Sequence, residues 1–405
     1  MAGGERLQVR FTSLVYGGYA LGRLADGRAV FVPYLLPGEL ALIRLIEERP
    51  GYARGEPLEL LEASPQRIAP RCRHFALCGG CHYQHLEAGR QLEAKAAVLR
   101  EQLVRLAGLS DPPPPEAVPS PQAWNYRNHL QFHLSPEGWL GFKVFRSERV
   151  FTVLECRLPE PELDALWPKL DPSTFAPGPG RTSGREVRVI LRRGSSGPAR
   201  VWARPASGRG PGPEPLEFGL PGGRFRVSPG SFFQVNTPLA AELAARVTTL
   251  ARQALAERSS RAAVLDLYCG VGLFSLYAAP FAARIVGVEL SPSACADYRH
   301  NLRDFAHAEL VRGRVEEVLP RLELRPEVVI ADPPRAGLGR AVARALAALR
   351  PSLLLYVSCD PATLARDARE LIRCGYSLGS LTLFDLFPQT YHLESLSVWM
   401  PSGQQ

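Results

Sequence analysis

The chain has 405 residues, too many for one ordinary domain and enough for two to four. Its hydrophobic content of 46% excludes disorder throughout, and eight cysteines are too few for a disulfide-stapled mini-protein. Basic residues outnumber acidic ones 48 to 40, and only Lys95, Lys143 and Lys169 are lysines, so an almost wholly arginine field favours a polyanionic partner.

Met1–Thr12 is polar and lacks an apolar core of targeting length, so a cytoplasmic protein is expected. Residues 1–62 read as a small all-β module. Its runs Leu7–Val15, Ala29–Pro33 and Glu39–Glu47 are separated by turn signals such as Gly17–Gly18 and Asp26–Gly27. Next, Cys72-x5-Cys78-Gly-Gly-Cys81 places three thiols within ten residues. With Cys156 as the free fourth candidate this is a metal-site pattern, and zinc or a [4Fe–4S] cluster would both accept it. A helix follows from about Ala88 to Leu106, with Leu92, Ala96, Leu99 and Leu103 in helical spacing. Asp111–Pro121, which contains Pro112 through Pro115, reads as a stiff linker.

Residues 123–230 form a β-rich middle region. Within it Arg181–Arg209 holds eight arginines against one acid, Glu186, which makes it either a solvated surface or a phosphate-contacting patch. The rhythm then changes. A helix over Leu239–Glu257 leads into apolar Val264–Tyr268 and the turn Gly270-Val271-Gly272. Further runs at Ile285–Glu289, Glu309–Val311, Val328–Ala331 and Leu353–Val357 alternate with helical patterns, which predicts a doubly wound parallel sheet. Ala262–Ala283 is long enough to span a bilayer, but Asp266, Gly270, Gly272 and Pro280 favour strand–turn–helix. Two closing strands, Ser380–Asp385 and Leu396–Met400, read as a hairpin on one edge.

Glycines after a strand let backbone approach a ligand closely, at the carboxyl ends of the strands. Glu289 ends the next strand, where an acid can hold ribose hydroxyls, and Asp332-Pro333-Pro334-Arg335 ends a later strand at the same rim. Position 275 is Ser, so the pyrophosphate-binding Gly-x-Gly-x-x-Gly is absent. That argues against a nicotinamide cofactor and for S-adenosylmethionine, an adenosine with no phosphate to cradle.

Together Asp266-Leu267-Tyr268-Cys269-Gly270-Val271-Gly272, Asp332-Pro333-Pro334-Arg335, Ser358-Cys359-Asp360-Pro361 and His392-Leu393-Glu394-Ser395 resemble the RNA (uracil-5-)-methyltransferase family. Tyr126-Arg127-Asn128 and Ser231-Phe232-Phe233-Gln234-Val235-Asn236 look like its middle region, and residues 1–62 like its TRAM domain, an RNA-binding barrel. The resemblance implies an α/β fold: a Rossmann-like S-adenosylmethionine methyltransferase domain over 231–405, preceded by the barrel and a central domain over 63–230. It implies a cofactor and base pocket lined by Gln234, Tyr268, Glu289 and Asp332. It implies a [4Fe–4S] cluster rather than zinc on Cys72, Cys78, Cys81 and Cys156.

Carbon 5 of uracil is a poor nucleophile, so the expected route is thiolate attack on carbon 6 followed by loss of the carbon-5 proton to a base. Cys359 is the expected nucleophile. Asp360 and Pro361 suit the N-cap and first position of a helix through about Arg373, whose dipole favours the thiolate. Glu394 is the base implied by the resemblance, in a loop between the tail strands, with His392 as its rival. Phe232 or Phe233 is expected to stack on a uridine flipped out of its helix. An amino-group methyltransferase would carry an aromatic after Pro-Pro, where Arg335 stands, and a non-catalytic iron–sulfur RNA-binding factor would not need Cys359 and Glu394. The expected substrate is 23S rRNA, with tRNA as the alternative, and the expected state a monomer.

Overall fold

The computed structural model describes residues 5–175, 186–204, 213–256 and 262–403. Alternation of apolar and polar residues in the first segment closes a barrel. Its strands are β1 (Arg6–Val15), β2 (Tyr19–Arg23), β3 (Ala29–Pro33), β4 (Leu40–Glu48) and β5 (Tyr52–Glu62), in the order β1-β2-β3-β5-β4. Along β4 the inward residues Ala41, Ile43 and Leu45 are buried and their neighbours are not, the period of two that a half-buried strand requires. Tyr83 and Leu86 of the cysteine segment complete the barrel core.

Helix α1 (Ala88–Gln102) covers one face of the C-terminal sheet through Leu99 and is continued by Leu103–Ala107. The expected linker is not a free spacer. Glu116–Val118 form strand β6, which pairs in parallel with a C-terminal strand over Thr382–Phe384. The prolines before it set extended backbone, and an edge strand can accept them.

The middle region is an antiparallel sheet ordered β11-β10-β7-β8-β9. It comprises β7 (His129–Leu134), β8 (Leu140–Lys143), β9 (Val150–Thr152), β10 (Arg188–Arg192) and β11 (Arg200–Arg204), with α2 (Pro161–Leu166) between β9 and β10. Phe132, Trp167, Val189 and Leu191 make its core. The described arginines of Arg181–Arg209 are engaged within the protein. Arg188 pairs with Glu186, Arg193 with Glu160 and Glu162, and Arg200 with Glu214. Arg192 donates to the carbonyls of Ser231 and Phe233, and Arg204 to that of Pro229. Arg181, Arg185 and Arg209 lie outside the described residues.

The hairpin β12 (Leu216–Leu220) and β13 (Gly223–Val227) joins the core of the C-terminal α/β region rather than that of the middle sheet. The C-terminal strands β14 (Ala263–Leu267), β15 (Arg284–Glu289), β16 (Ala308–Arg312), β17 (Val328–Ala331) and β18 (Leu353–Ser358) run parallel, in the order β16-β15-β14-β17-β18. Antiparallel β20 (Glu394–Pro401), then β19 (Tyr376–Phe384), then β6 extend the sheet. The tail is therefore no edge hairpin: β20 is an inner strand, and Glu394 is its first residue rather than a loop residue.

Alternate residues of each strand face two cores. One face packs on α3 (Thr237–Ala256), α4 (Leu273–Ala278) and α5 (Pro292–Asn301). The other packs on α1, α7 (Gly339–Leu349) and α8 (Pro361–Arg373), with the short α6 (Val315–Val318) beside them. Strands buried on both sides carry the near-continuous apolar runs seen in the sequence. No helix among the described residues is long and apolar enough to cross a membrane.

Candidate active site

The turn after β14 bends through left-handed backbone at Tyr268 (φ 59°), Gly270 (φ 55°) and Gly272 (φ 89°). A Cβ on Gly272 would come within 2.6 Å of Leu302, so this glycine is required by space as well as by φ. Glu289 accepts hydrogen bonds from Gly270 N (3.0 Å), Leu290 N (2.8 Å) and Ser291 N (2.6 Å), which fixes its carboxylate at the rim. Below the turn, fully buried Asp266 accepts from the N and Oγ of Ser275, and burial lifts its pKa to about 7. The Tyr268 hydroxyl has no hydrogen-bond partner among the described residues.

Gln234 is carried on a segment that the middle region holds by its backbone. Asn128 Nδ2 donates to Gln234 O (3.0 Å) and Thr237 Oγ1 (2.9 Å), and Arg192 holds the carbonyls on either side of Phe232. The Gln234 Oε1 is buried and unpartnered, which costs free energy unless a ligand satisfies it. The two phenylalanines divide cleanly. Phe233 is core, packed on Phe218 and Phe225, whereas Phe232 is 70% exposed. Asn128 is a supporting residue that the sequence signalled only as part of a motif, because a lone Asn in a β-rich region has no distinguishing pattern.

Cys359 closes β18 where α8 begins. Asp360 is the N-cap, its Oδ1 accepting from Ala362 N (3.0 Å) and Thr363 N (2.9 Å), and Pro361 follows at the first helical position. The other oxygen, Oδ2, accepts from the Tyr16 hydroxyl of the barrel at 2.8 Å. The expected thiolate is not favoured in the free protein. Burial first, then Glu394 and Asp332, push the Cys359 thiol up to about 12, and Arg335 is the opposing cation. Burial outweighs the helix terminus because a thiolate loses its hydration in a partly dry site, and any charge on the two carboxyls adds to that cost.

Glu394 is buried, its Oε1 is unpartnered, and burial and then Asp332 raise its proton affinity well above the ordinary carboxyl range. Asp332 itself is lifted to about 7 by desolvation and Asp266. His392 is the weaker base: burial first, then Arg335, whose Nη2 lies 3.5 Å from its Nδ1, drop its pKa to about 3. The structure thus brings Cys359, Glu394, Asp332 and Arg335 into one electrostatic neighbourhood.

Cys72, Cys78, Cys81 and Cys156 line a single cavity of about 750 Å³, which Arg335, Tyr391 and His392 also line. All are free thiols. Burial is the first cause that raises each, Cys78 to about 11 and Cys156 to about 12, and charge on neighbouring cysteines adds to it for Cys78, Cys81 and Cys156. Among the described residues, however, no group of three or more His, Cys, Asp or Glu side chains is set to hold a metal ion. The four cysteines share a cavity without forming the tight tetrahedron that a zinc ion imposes. Of the cysteines other than these four and Cys359, Cys269 and Cys295 are buried and Cys374 lies at the end of α8.

A doubly wound sheet with a glycine turn and a rim acid at the carboxyl ends of its strands is the class of α/β fold that holds a nucleoside-type ligand there. Residues 222–401 match the tRNA (Uracil-5-)-methyltransferase family, and residues 3–58 match the TRAM domain. A 23S rRNA (uracil(1939)-C(5))-methyltransferase of Edwardsiella ictaluri is 32% identical over 418 residues, covering 94% of this chain and 92% of its own. An RNA methyltransferase of Streptomyces avermitilis is 32% identical over 439 residues, covering 99% of both. The crystal structure of Pyrococcus abyssi tRNA (uracil-54, C5)-methyltransferase with S-adenosyl-L-homocysteine superposes with a TM-score of 0.71 at 23% identity, over 97% of this chain and 100% of that one. The chain belongs to the S-adenosylmethionine-dependent RNA uracil-5-methyltransferase family, with an N-terminal TRAM domain.

Proposed function

We propose that the chain methylates carbon 5 of a uridine in 23S rRNA through a covalent intermediate, with Cys359 as nucleophile and Glu394 as base. The observation that carries this reading is the mutual influence of the Cys359 thiol, Glu394 and Asp332 at the strand ends, with unpartnered Gln234 and Tyr268 groups beside the same rim. The 32% identity to an enzyme named for 23S rRNA supports that substrate over tRNA. Mapping 5-methyluridine by mass spectrometry in 23S rRNA and tRNA after incubation tests it, and methyl in tRNA alone overturns the preferred substrate.

In this reading Cys359 gives its proton to water and adds to carbon 6, while the ring's π electrons move to O4 as an enolate. S-adenosylmethionine supplies the methyl group from a positively charged sulfur, and carbon 5 takes it. Glu394 then removes the carbon-5 proton, the C5–C6 double bond re-forms, and the C–S electron pair returns to Cys359. A carboxylate whose proton affinity is raised by burial is well suited to that step. Phe232, being exposed, is our candidate to stack on the base, and the barrel and middle region (1–62 and 63–230) serve in this reading as the RNA grip for methyl transfer by 231–405.

Glu289 is assigned to the ribose. Its three backbone bonds hold the carboxylate in place, two on Oε1 and one on Oε2, and leave an acceptor site on Oε2 for a ribose hydroxyl. Glu289→Ala is expected to weaken S-adenosylmethionine binding by about 1.5–3 kcal/mol for each lost charged hydrogen bond. Calorimetry checks this, and unchanged affinity means the rim is misassigned.

For the cysteines we propose a [4Fe–4S] cluster. Support comes from the donor set: four free thiols round one cavity, Cys81 buried and the others half-buried, three of them raised further by one another's charge, fit a cationic group that gives each thiolate its own iron. Cys72, Cys78, Cys81 and Cys156 would hold it, and its contribution is structural, since methyl transfer moves no electron. Anaerobically purified protein is expected to be brown, and Cys81→Ser to lose the colour. A colourless protein with stoichiometric zinc refutes the assignment.

A further inference from the structure

Gln389 stands five residues before Glu394, is buried, and has φ 70°. A side chain other than glycine enters that left-handed region only when its surroundings force it to. The forcing groups come from outside its own loop. Gln389 N donates to Gln91 Oε1 of α1 at 2.8 Å, and Gln91 Nε2 donates back to Gln389 Oε1 at 3.0 Å. Gln389 O accepts from the N–H groups of His82 (2.8 Å) and Tyr83 (3.0 Å), the two residues after Cys81. Its Nε2 donates to Ala123 O at 3.4 Å. The preceding carbonyls are held as well, Pro388 O by the Tyr126 hydroxyl and Phe387 O by Lys95.

A turn that only had to reverse the chain would take glycine at this φ. Here a glutamine is held with every polar group bonded, and the segment that holds its carbonyl is the one that carries Cys81. From Gln389 the chain reaches Thr390, whose Oγ1 accepts from His392 N at 3.1 Å, and then Glu394. We propose that Gln389 is a positioning residue for methyl transfer, the clamp through which the cysteine segment and α1 fix the backbone that presents Glu394. The proposal rests on the reading of Glu394 as the base.

The test uses the full chain carrying Gln389→Gly, Gln389→Met or, on the other side of the clamp, Gln91→Met, with Glu394→Gln alongside. Displacing a catalytic group by about 1 Å can cost on the order of 100-fold, so kcat is expected to fall at least tenfold in each clamp variant. The KM for RNA and S-adenosylmethionine affinity should stay near those of the parent, while the thermal midpoint falls only by the cost of the buried groups left unpaired. Because only base-dependent elimination is slowed, a methylated protein–RNA adduct should accumulate in denaturing gels, as it should for Glu394→Gln. Glycine relieves the backbone strain without restoring the clamp. Parental kcat in Gln389→Gly, or a fall in kcat matched by lost cofactor affinity, overturns the proposal. Normal turnover by Glu394→Gln instead removes the base reading on which it stands, whatever the clamp variants do.

Discussion

Cys359→Ala is expected to give neither methylated RNA nor a covalent protein–RNA complex, the largest loss that any single substitution in this chain should produce. Glu394→Gln should behave differently. The thiol can still add to carbon 6 and carbon 5 can still receive the methyl group, but nothing removes the carbon-5 proton. Elimination stalls, and a methylated adduct should persist in denaturing gels. The amide keeps the size of the side chain and, in a site where burial and Asp332 already favour the neutral carboxyl, adds no unpaired charge. The thiol also has a pH signature. With its pKa pushed up to about 12, alkylation of Cys359 in the free enzyme should still be climbing about tenfold per pH unit at pH 9–10, where an ordinary thiol near 8.5 has levelled off. An early plateau would show that the surrounding carboxyls do not hold the proton. Should Cys359→Ala retain activity, the covalent route is wrong.

Lys95→Met is expected to have the largest effect on stability. Lys95 Nζ is buried in α1 and donates to Asp385 Oδ1 at 2.6 Å and to Phe387 O at 3.0 Å. Burial pulls its pKa down and Asp385 opposes that pull. Removing the cation leaves a buried carboxylate without a partner, a defect of about 3–5 kcal/mol, which is a large share of the 5–15 kcal/mol that holds a typical protein folded. The double substitution Lys95→Met with Asp385→Leu removes both charges and should recover most of the loss. Urea denaturation of the parent and the two variants reads this directly. A single variant as stable as the parent would mean that the pair contributes nothing net.

The α/β alternation, the barrel and the Asp360–Pro361 helix start were legible because each rests on local rules: strand period, turn residues and cap chemistry. The chemistry of Cys359 was not. A helix terminus can be read from four residues, but the burial that overrules it, and the carboxyls that β17 and β20 bring beside it, are properties of the sheet order. The same limit hid the buried polar face of α1. Leu92 and Ala96 mark the apolar stripe, yet the fully covered positions include Gln91 and Lys95, whose partners lie almost 300 residues away. Glu394 looked like a loop residue because the run Phe387–Leu393 is irregular, and only the pairing of β20 with both β18 and β19 buries it. A proline-rich stretch read as a spacer became a strand because three residues of it fit an open sheet edge.

That short strand, Glu116–Val118, changes how this enzyme can be taken apart. A front half joined to a catalytic half by a flexible tether could be exchanged between relatives at the tether. Here the edge of the catalytic sheet, the lysine buried against Asp385 and the tyrosine held by Pro388 are all supplied from residues before 130. A chimera cut near residue 62 moves the barrel but breaks its Tyr16 contact with Asp360, and one cut near residue 230 leaves the catalytic sheet without its last strand. The front region and the catalytic sheet are therefore one packed unit, and a graft that exchanges either has to rebuild both sides of that seam.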